Sequence, residues 1–263
     1  MELRQLSSKT IRNSEQFADV IGVCSSLLKH SDEANDVRKY LKGRIPSFRI
    51  GGFSFGYFPK NGELHKLFEF IDPVILEDLG LIYKRYVHDS GHAEMVYCSV
   101  LDNHNLIMPY KNVYGDIVGL VGRSVLDSVQ QKQQKISKYK NTSLLKGTNL
   151  FGIYEAKKAI IKKRSVVLVE GQFDCITCHR HGFKNVVALG GASFTKYHFF
   201  LLKRYTNKIY LLLDNDFAGN KETQNIINRY SKDVEIIPIN LPSSYKDIDE
   251  CLMKGKDNPL LHI

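Results

Sequence analysis

The chain has 263 residues, is 43% hydrophobic and carries a formal charge of +9, enough to bury a sizeable core as one large domain or two modest ones. No stretch approaches the roughly eighteen uninterrupted apolar residues of a membrane helix, and the start holds no apolar export segment, so a soluble, cytoplasmic protein with no membrane partner is expected. Five scattered cysteines (Cys24, Cys98, Cys175, Cys178, Cys251) exclude a disulfide framework and a four-cysteine zinc ribbon.

Residues 1–45 place Phe17, Val20, Ile21, Cys24, Leu27 and Leu28 at helical spacing and predict two helices, broken at Lys42-Gly43-Arg44-Ile45-Pro46. Turns around Gly51-Gly52 and Gly56-Tyr57-Phe58-Pro59 frame a short aromatic segment. A helical stretch is expected over 64–82, with Asp72-Pro73 as cap and first turn and Gly80 as a stop, followed by a strand over 93–100. Residues 106–111 and 116–121 read as a hairpin around Asn112-Val-Tyr-Gly115. The polar run 130–135 reads as a loop, continued by Lys138-Tyr-Lys-Asn-Thr-Ser143 and Leu145-Lys146-Gly147 before a helix over 149–163. From Asn103 to Ser165, twelve Lys/Arg stand against three Asp/Glu, a local surplus equal to that of the whole chain. Such a tract suits a polyanion, although Lys157, Lys158, Lys162, Lys163 and Arg164 also suit a helix C-terminus. Asn141-Thr-Ser143 spells a glycosylation acceptor that a cytoplasmic protein does not use.

Beyond 165 the pattern becomes regular. Strands are expected at 166–169, 185–189, 209–213 and 234–239, and helices at about 173–181, 195–205, 219–230 and from 248. This alternation predicts a parallel sheet with helices on both faces, an α/β fold whose ligand site lies off the carboxyl ends of the strands. Two apolar strands end in acids beside glycine: Ser165-Val-Val-Leu-Val-Glu170-Gly-Gln-Phe-Asp174 and Ile209-Tyr-Leu-Leu-Leu-Asp214-Asn-Asp216-Phe-Ala-Gly219. Lys246-Asp247-Ile-Asp249-Glu250 reaches the same edge. Crowded carboxylates resist ionisation, and a divalent cation offsets that repulsion. With no Cys or His cluster in these motifs, hard-oxygen chemistry favours Mg²⁺ or Mn²⁺, and no zinc is expected. Each acid read singly is a helix N-cap; read jointly, the group is a metal site. Cys175-Ile-Thr-Cys178-His179 spells a haem-attachment pattern, but it falls where a packed helix follows the first acidic strand and reads as ordinary buried cysteines.

Residues 165–250 resemble a Toprim domain, the metal-binding module of bacterial-type primases, topoisomerases and some nucleases. The primase version matches best: its second and third motifs are usually Asp-Gly-Asp-x-Ala-Gly and Lys-Asp-Pro-Asp-Glu. Upstream, Ile107-Met-Pro109 and Gly115-Asp-Ile-Val-Gly-Leu-Val-Gly122-Arg123 are similar to that family's Met-Phe-Pro-Ile and Gly-x-Val-Ile-Gly-Phe-Gly-Gly-Arg. Lys138-Tyr-Lys-Asn141, Lys146-Gly147 and Leu150-Phe-Gly-Ile-Tyr-Glu-Ala156 follow in the family's order, as do the looser Lys42-Gly-Arg44 and Gly56-Tyr-Phe-Pro59 upstream. The resemblance covers about residues 38–254 and is to the RNA-polymerase core of DnaG-like primases, in the small size of phage or plasmid versions. It departs at Asn103-His104-Asn105, where the family carries arginines, and the chain has no P-loop of a fused helicase.

The resemblance implies a basic, template-binding α+β subdomain over 1–164 and a Toprim catalytic subdomain over 165–263. It implies RNA-primer synthesis on single-stranded DNA from NTPs during replication, by nucleotidyl transfer with two or more divalent ions. Asp214, Asp216 and Asp249 are the expected ligands with Asp174 and Asp247 beside them, and Glu170 is a ligand or a general acid/base. Arg44, Arg123, Lys138 and Lys146 are expected to hold nucleic-acid or nucleotide phosphates. A replicative helicase and a separate zinc-bearing template-recognition protein are the expected partners. Two alternatives stand beside this reading: a Toprim nuclease, and a non-catalytic nucleic-acid-binding replication accessory protein. A topoisomerase fits less well, because Ala218 stands where a further acid is expected.

Overall fold

The computed structural model describes residues 2–45, 50–89, 92–142, 146–191, 193–255 and 258–262. Pro46 of the predicted helix break, Ser143 of the Asn-Thr-Ser triplet and Leu145 lie outside the described residues. The chain divides into two compact units, one of Met1–Arg49, Ser54–Tyr110 and Asp116–Leu144, the other of Ile50–Phe53, Lys111–Gly115 and Leu145–Ile263.

In the first unit, α1 (Glu2–His30) buries Phe17, Val20, Ile21, Cys24 and Leu28, one stripe at helical spacing, against a four-stranded sheet. The sheet order is β1 (Gly56–Tyr57), β4 (Leu106–Lys111), β5 (Ile117–Arg123), β6 (Tyr139–Asn141). A second helix, α2 (Asn35–Lys42), precedes it as expected. The single helix predicted over 64–82 is instead two short ones, α3 (His65–Phe68) and α4 (Pro73–Asp78). Asp72 accepts from the Val74 N–H at 2.8 Å and Pro73 supplies no N–H, so a new helix starts there.

The strand expected at 93–100 is β3 (His92–Ser99), and it pairs antiparallel with β2 (Ile82–Asp89), which the sequence reading missed. Tyr83, Tyr86 and Val87 of β2 are exposed, so that strand lacks the buried alternation that marks a sheet face. Of the run read as a loop at 130–135, residues 130–134 belong to α5 (Ser128–Gln134) and Lys135 is its C-cap. Asp127 caps it through the N–H groups of Val129 and Gln130, while the Gln130 side chain returns to the Asp127 N–H. The segment after Lys138, also read as loop, is β6, paired with β5 so that Arg123 stands opposite Tyr139.

In the second unit, a parallel sheet has the order β10 (Glu235–Pro238), β9 (Lys208–Leu212), β7 (Val166–Val169), β8 (Val186–Ala188). All four residues of β7 are buried, because helices cover both faces. Val166 and Leu168 share a core with α6 (Ile153–Lys163), α8 (Lys196–Lys203) and α9 (Phe217–Tyr230). On the other side α7 (Gln172–Arg180) packs on β8 and α10 (Ile248–Lys254) packs on α7. Each such buried side chain contributes about 1.5–3 kcal/mol of transfer free energy. Leu150, Ile153, Ala156 and Ile160 join the same core, so this unit takes in residues that the sequence reading placed before a division at 164/165. No helix among the described residues is long and apolar enough to cross a membrane.

Candidate metal and nucleotide site

Strand order places the site. From β7 the chain steps to β8 on one side and then to β9 on the other, so the order reverses between β7 and β9. Ligands of open α/β sheets bind in the crevice that this reversal opens at the carboxyl ends. Register sets Val169 opposite Leu212, and Glu170 and Asp214 leave the sheet just beyond that pair. Backbone bonds tie the loops at this edge: Gly190 N–H donates to the Glu170 carbonyl at 2.9 Å, and Asn215 N–H to the Lys246 carbonyl at 2.8 Å.

Local structure then fixes each acid. Asp174, in the first turn of α7, accepts from the Gly171 N–H at 2.7 Å. Asp216 caps α9 by accepting from Gly219 N–H at 2.9 Å, and Asp247 caps α10 by accepting from Glu250 N–H at 2.8 Å. Asp249 lies near a helix start as expected, at the second residue of α10, and is buried, with its Oδ1 accepting from the Thr177 hydroxyl at 2.5 Å. The cap reading is therefore literally right for Asp216 and Asp247, and each cap bond uses one carboxylate oxygen.

Electrostatics joins all six acids. Burial, then the charges of Asp247, Asp214 and Asp249, push the Asp174 carboxyl well above the usual carboxylate range, with the Gly171 N–H opposing. Burial, then Glu170 and Asp247, raise Asp214 to about 6; Lys246 opposes this and Asp216 adds to it. The donor set is all carboxylate oxygen, which fits a hard divalent cation. Among the described residues, no three of His, Cys, Asp or Glu converge so as to hold a metal ion. Beside the acids, Glu170 lines a cleft of about 490 Å³ with Gly191, Ser193, Leu213, Lys221 and Asn225.

The predicted basic residues fall in both units. In the first, Arg44 lies over the Tyr40 ring at 5.2 Å, and Arg123 lies over Tyr40 at 5.0 Å and Tyr139 at 4.8 Å. Arg123 also donates from Nη1 to the Tyr139 hydroxyl, and Lys138 stands 5.7 Å from the same ring. Arg123 is buried and Lys138 exposed. Lys146 belongs to the second unit, where burial lowers its pKa and its carbonyl accepts from His198 Nε2 at 2.7 Å. The Asn103-His104-Asn105 departure has a structural use: His104 Nε2 bonds to the Ser137 carbonyl at 2.8 Å and Asn105 Nδ2 donates to the Phe58 carbonyl at 2.8 Å.

None of the five cysteines is in a disulfide, and all five are buried. Cys175 Sγ meets the Val186 carbonyl at 3.3 Å and His179 Nε2 the same oxygen at 2.9 Å, so the haem-like pattern is core packing. The residue that sequence reasoning missed is Thr177. It lies one helical turn beyond Asp174, on the same face of α7, and that spacing was the available signal.

Residues 167–252 match the family model described as Toprim-like. The chain is 32% identical over 235 residues to a DNA primase of Aquifex aeolicus, covering 88% of this chain and 44% of that protein. It is 36% identical over 236 residues to a DNA primase of Clostridium acetobutylicum, covering 87% of this chain and 37% of that one. The chain thus spans less than half the length of these curated relatives. The crystal structure of the Aquifex aeolicus primase zinc-binding and RNA polymerase domains superposes with a TM-score of 0.74 at 30% identity, covering 91% of this chain and 57% of that one. The E. coli primase catalytic core shares the fold, with a TM-score of 0.72 at 23% identity over 92% of this chain and 76% of that one. Together with the four-stranded parallel sheet and its carboxylate edge, these likenesses place the chain in the family of DnaG-type DNA primases, in the part that corresponds to their Toprim-containing catalytic core.

Proposed function

We propose that the chain is the catalytic core of a DNA primase that makes short RNA primers on single-stranded DNA. The observation that carries this reading is the placement of the acids at the carboxyl edge of β7 and β9, where Glu170 and Asp214 leave the sheet, Asp216 caps the next helix and the Lys246 loop bearing Asp247 is tied to Asn215, in a chain of this family. In the reaction, a ribonucleotide 3′-hydroxyl forms a bond to the α-phosphorus of an NTP. The bond from that phosphorus to the bridging oxygen breaks, and pyrophosphate leaves.

Asp214, Asp216 and Asp249 would hold Mg²⁺ or Mn²⁺, two or more ions, with Asp174 and Asp247 alongside. Bound divalent ions supply charge neutralisation of the triphosphate and a lowered pKa for the attacking hydroxyl. Glu170, which lines the cleft, serves as a further ligand or as the acceptor of that hydroxyl's proton. Thr177 donates to Asp249 and fixes the orientation of that carboxylate. Lys146 of the second unit, and Arg44, Arg123 and Lys138 of the first, bind nucleotide and template phosphates. A replicative helicase and a zinc-bearing template-recognition protein are the partners this role calls for.

The experiment is incubation with single-stranded DNA, the four NTPs and Mg²⁺, with and without chelator. Chelator-sensitive oligoribonucleotides support the reading. Shortened DNA without RNA would assign a nuclease, and intact DNA without RNA an accessory protein.

A further inference from the structure

Phe217 immediately follows Asp216, and 84% of it is exposed, more than any other large hydrophobic side chain among the described residues. It occupies the first position of α9, whose buried residues are Gly219, Ile226 and Tyr230, so it adds nothing to the core beneath the helix. Its backbone belongs to a tightly closed turn. Asp216 caps the helix through Gly219 N–H, and Gly219 sits hard against the Asp214 backbone. The ring is thus held in water at the carboxyl edge of the sheet, one residue from a carboxylate that bears on Asp214. An apolar ring so placed loses the free energy that burial would return to it. A planar, uncharged ligand surface arriving at the carboxylates would recover that loss.

We infer that Phe217 stacks on the nucleobase of the nucleotide whose phosphates the carboxylate edge addresses. The inference rests on the nucleotidyl-transfer reading and adds to it the residue that grips the base. Stacking tolerates every base, because each has a π-face, so this contact secures affinity without choosing among the four nucleotides; the template makes that choice. Phe217 is a positioning residue: it holds the substrate and takes no part in bond making.

The test is calorimetric titration of wild type, Phe217→Ala and Phe217→Trp with Mg·ATP, Mg·GTP and Mg·tripolyphosphate, the last having phosphates but no base. Phe217→Ala is expected to weaken both nucleotides about tenfold or more while leaving tripolyphosphate unchanged, and Phe217→Trp to restore nucleotide binding. Equal losses on all three ligands, no loss on any, or a wild type that does not prefer nucleotide over tripolyphosphate would overturn the inference. A wild type that shows this preference and its loss in Phe217→Ala, yet makes no RNA, would refute the polymerase reading and uphold the stacking contact. Conversely, RNA synthesis with a Phe217→Ala variant that prefers nucleotides as wild type does would overturn the stacking contact alone.

Discussion

A Cβ at Gly219 would stand 2.1 Å from the carbonyl oxygen of Asp214 and 3.1 Å from its amide nitrogen. The glycine of the second acidic motif therefore makes room for the backbone of that motif's own first acid, and the turn holding Asp214 and Asp216 closes only around it. Gly219→Ala forces the Asp214 backbone to move. Displacements near 1 Å at a reacting centre cost about 100-fold in rate, and that is the expected loss of primer synthesis with circular dichroism unchanged. Wild-type activity in Gly219→Ala would show that the contact is dispensable.

The carboxylate crowding sets a pH dependence. Asp214 is raised from 3.8 to about 6, so the native state is favoured by its protonated form: that contribution is whole below about pH 4 and is lost as pH rises through 6. Asp174, raised in the same direction by burial and by its acidic neighbours, acts with the same sign. Divalent cation should therefore raise the melting temperature more at pH 7.5 than at pH 5, and Asp214→Asn should raise it at pH 7.5 in the presence of chelator. Differential scanning calorimetry reads both effects; equal shifts at the two pH values would contradict the coupling.

Thr177 and Asp249 are both buried and share a 2.5 Å hydrogen bond. Thr177→Val keeps the shape and removes the donor, at an expected cost of about 1.5–3 kcal/mol in urea unfolding together with weaker divalent binding. Thr177→Ser should recover most of both, and a Thr177→Val variant as stable as wild type would remove the hydroxyl from the account.

In the first unit, exposed Lys138 and buried Arg123 share the Tyr139 ring. Lys138→Ala should lower the slope of log affinity against log salt for single-stranded DNA by about 1 while leaving the urea midpoint unchanged. Arg123→Ala should lower the urea midpoint as well, because its packing between Tyr40 and Tyr139 is lost along with its charge. A salt titration that is flat for wild type would take the basic residues out of template binding.

The sheet of the second unit was legible because its strands are short unbroken apolar runs, and β7 falls at 166–169 as expected. The acids were legible because carboxylates are rare at the ends of such runs. Their individual duties were harder to read: which of Asp247 and Asp249 caps α10 turns on a two-residue shift of the helix start, a boundary that periodicity does not resolve. The first unit was less readable. α5 carries polar residues on all sides and was missed, although Asp127 and Gln130 spell its capping box. β2 was missed because its exposed side chains show no alternation, and its register comes from pairing with β3. A Cβ at Gly171 would stand 2.7 Å from Asp174 Oδ2, so the glycine beside the first acid makes room for the second.

The central claim is that the carboxylates at the β7–β9 edge support template-directed RNA synthesis. Asp216→Asn tests it most directly, because asparagine keeps an oxygen to cap α9 while losing the charge. On single-stranded DNA with NTPs and Mg²⁺, wild type should yield oligoribonucleotides, and Asp216→Asn should yield none while unfolding at the wild-type temperature. Oligoribonucleotides from Asp216→Asn at the wild-type rate would contradict the claim.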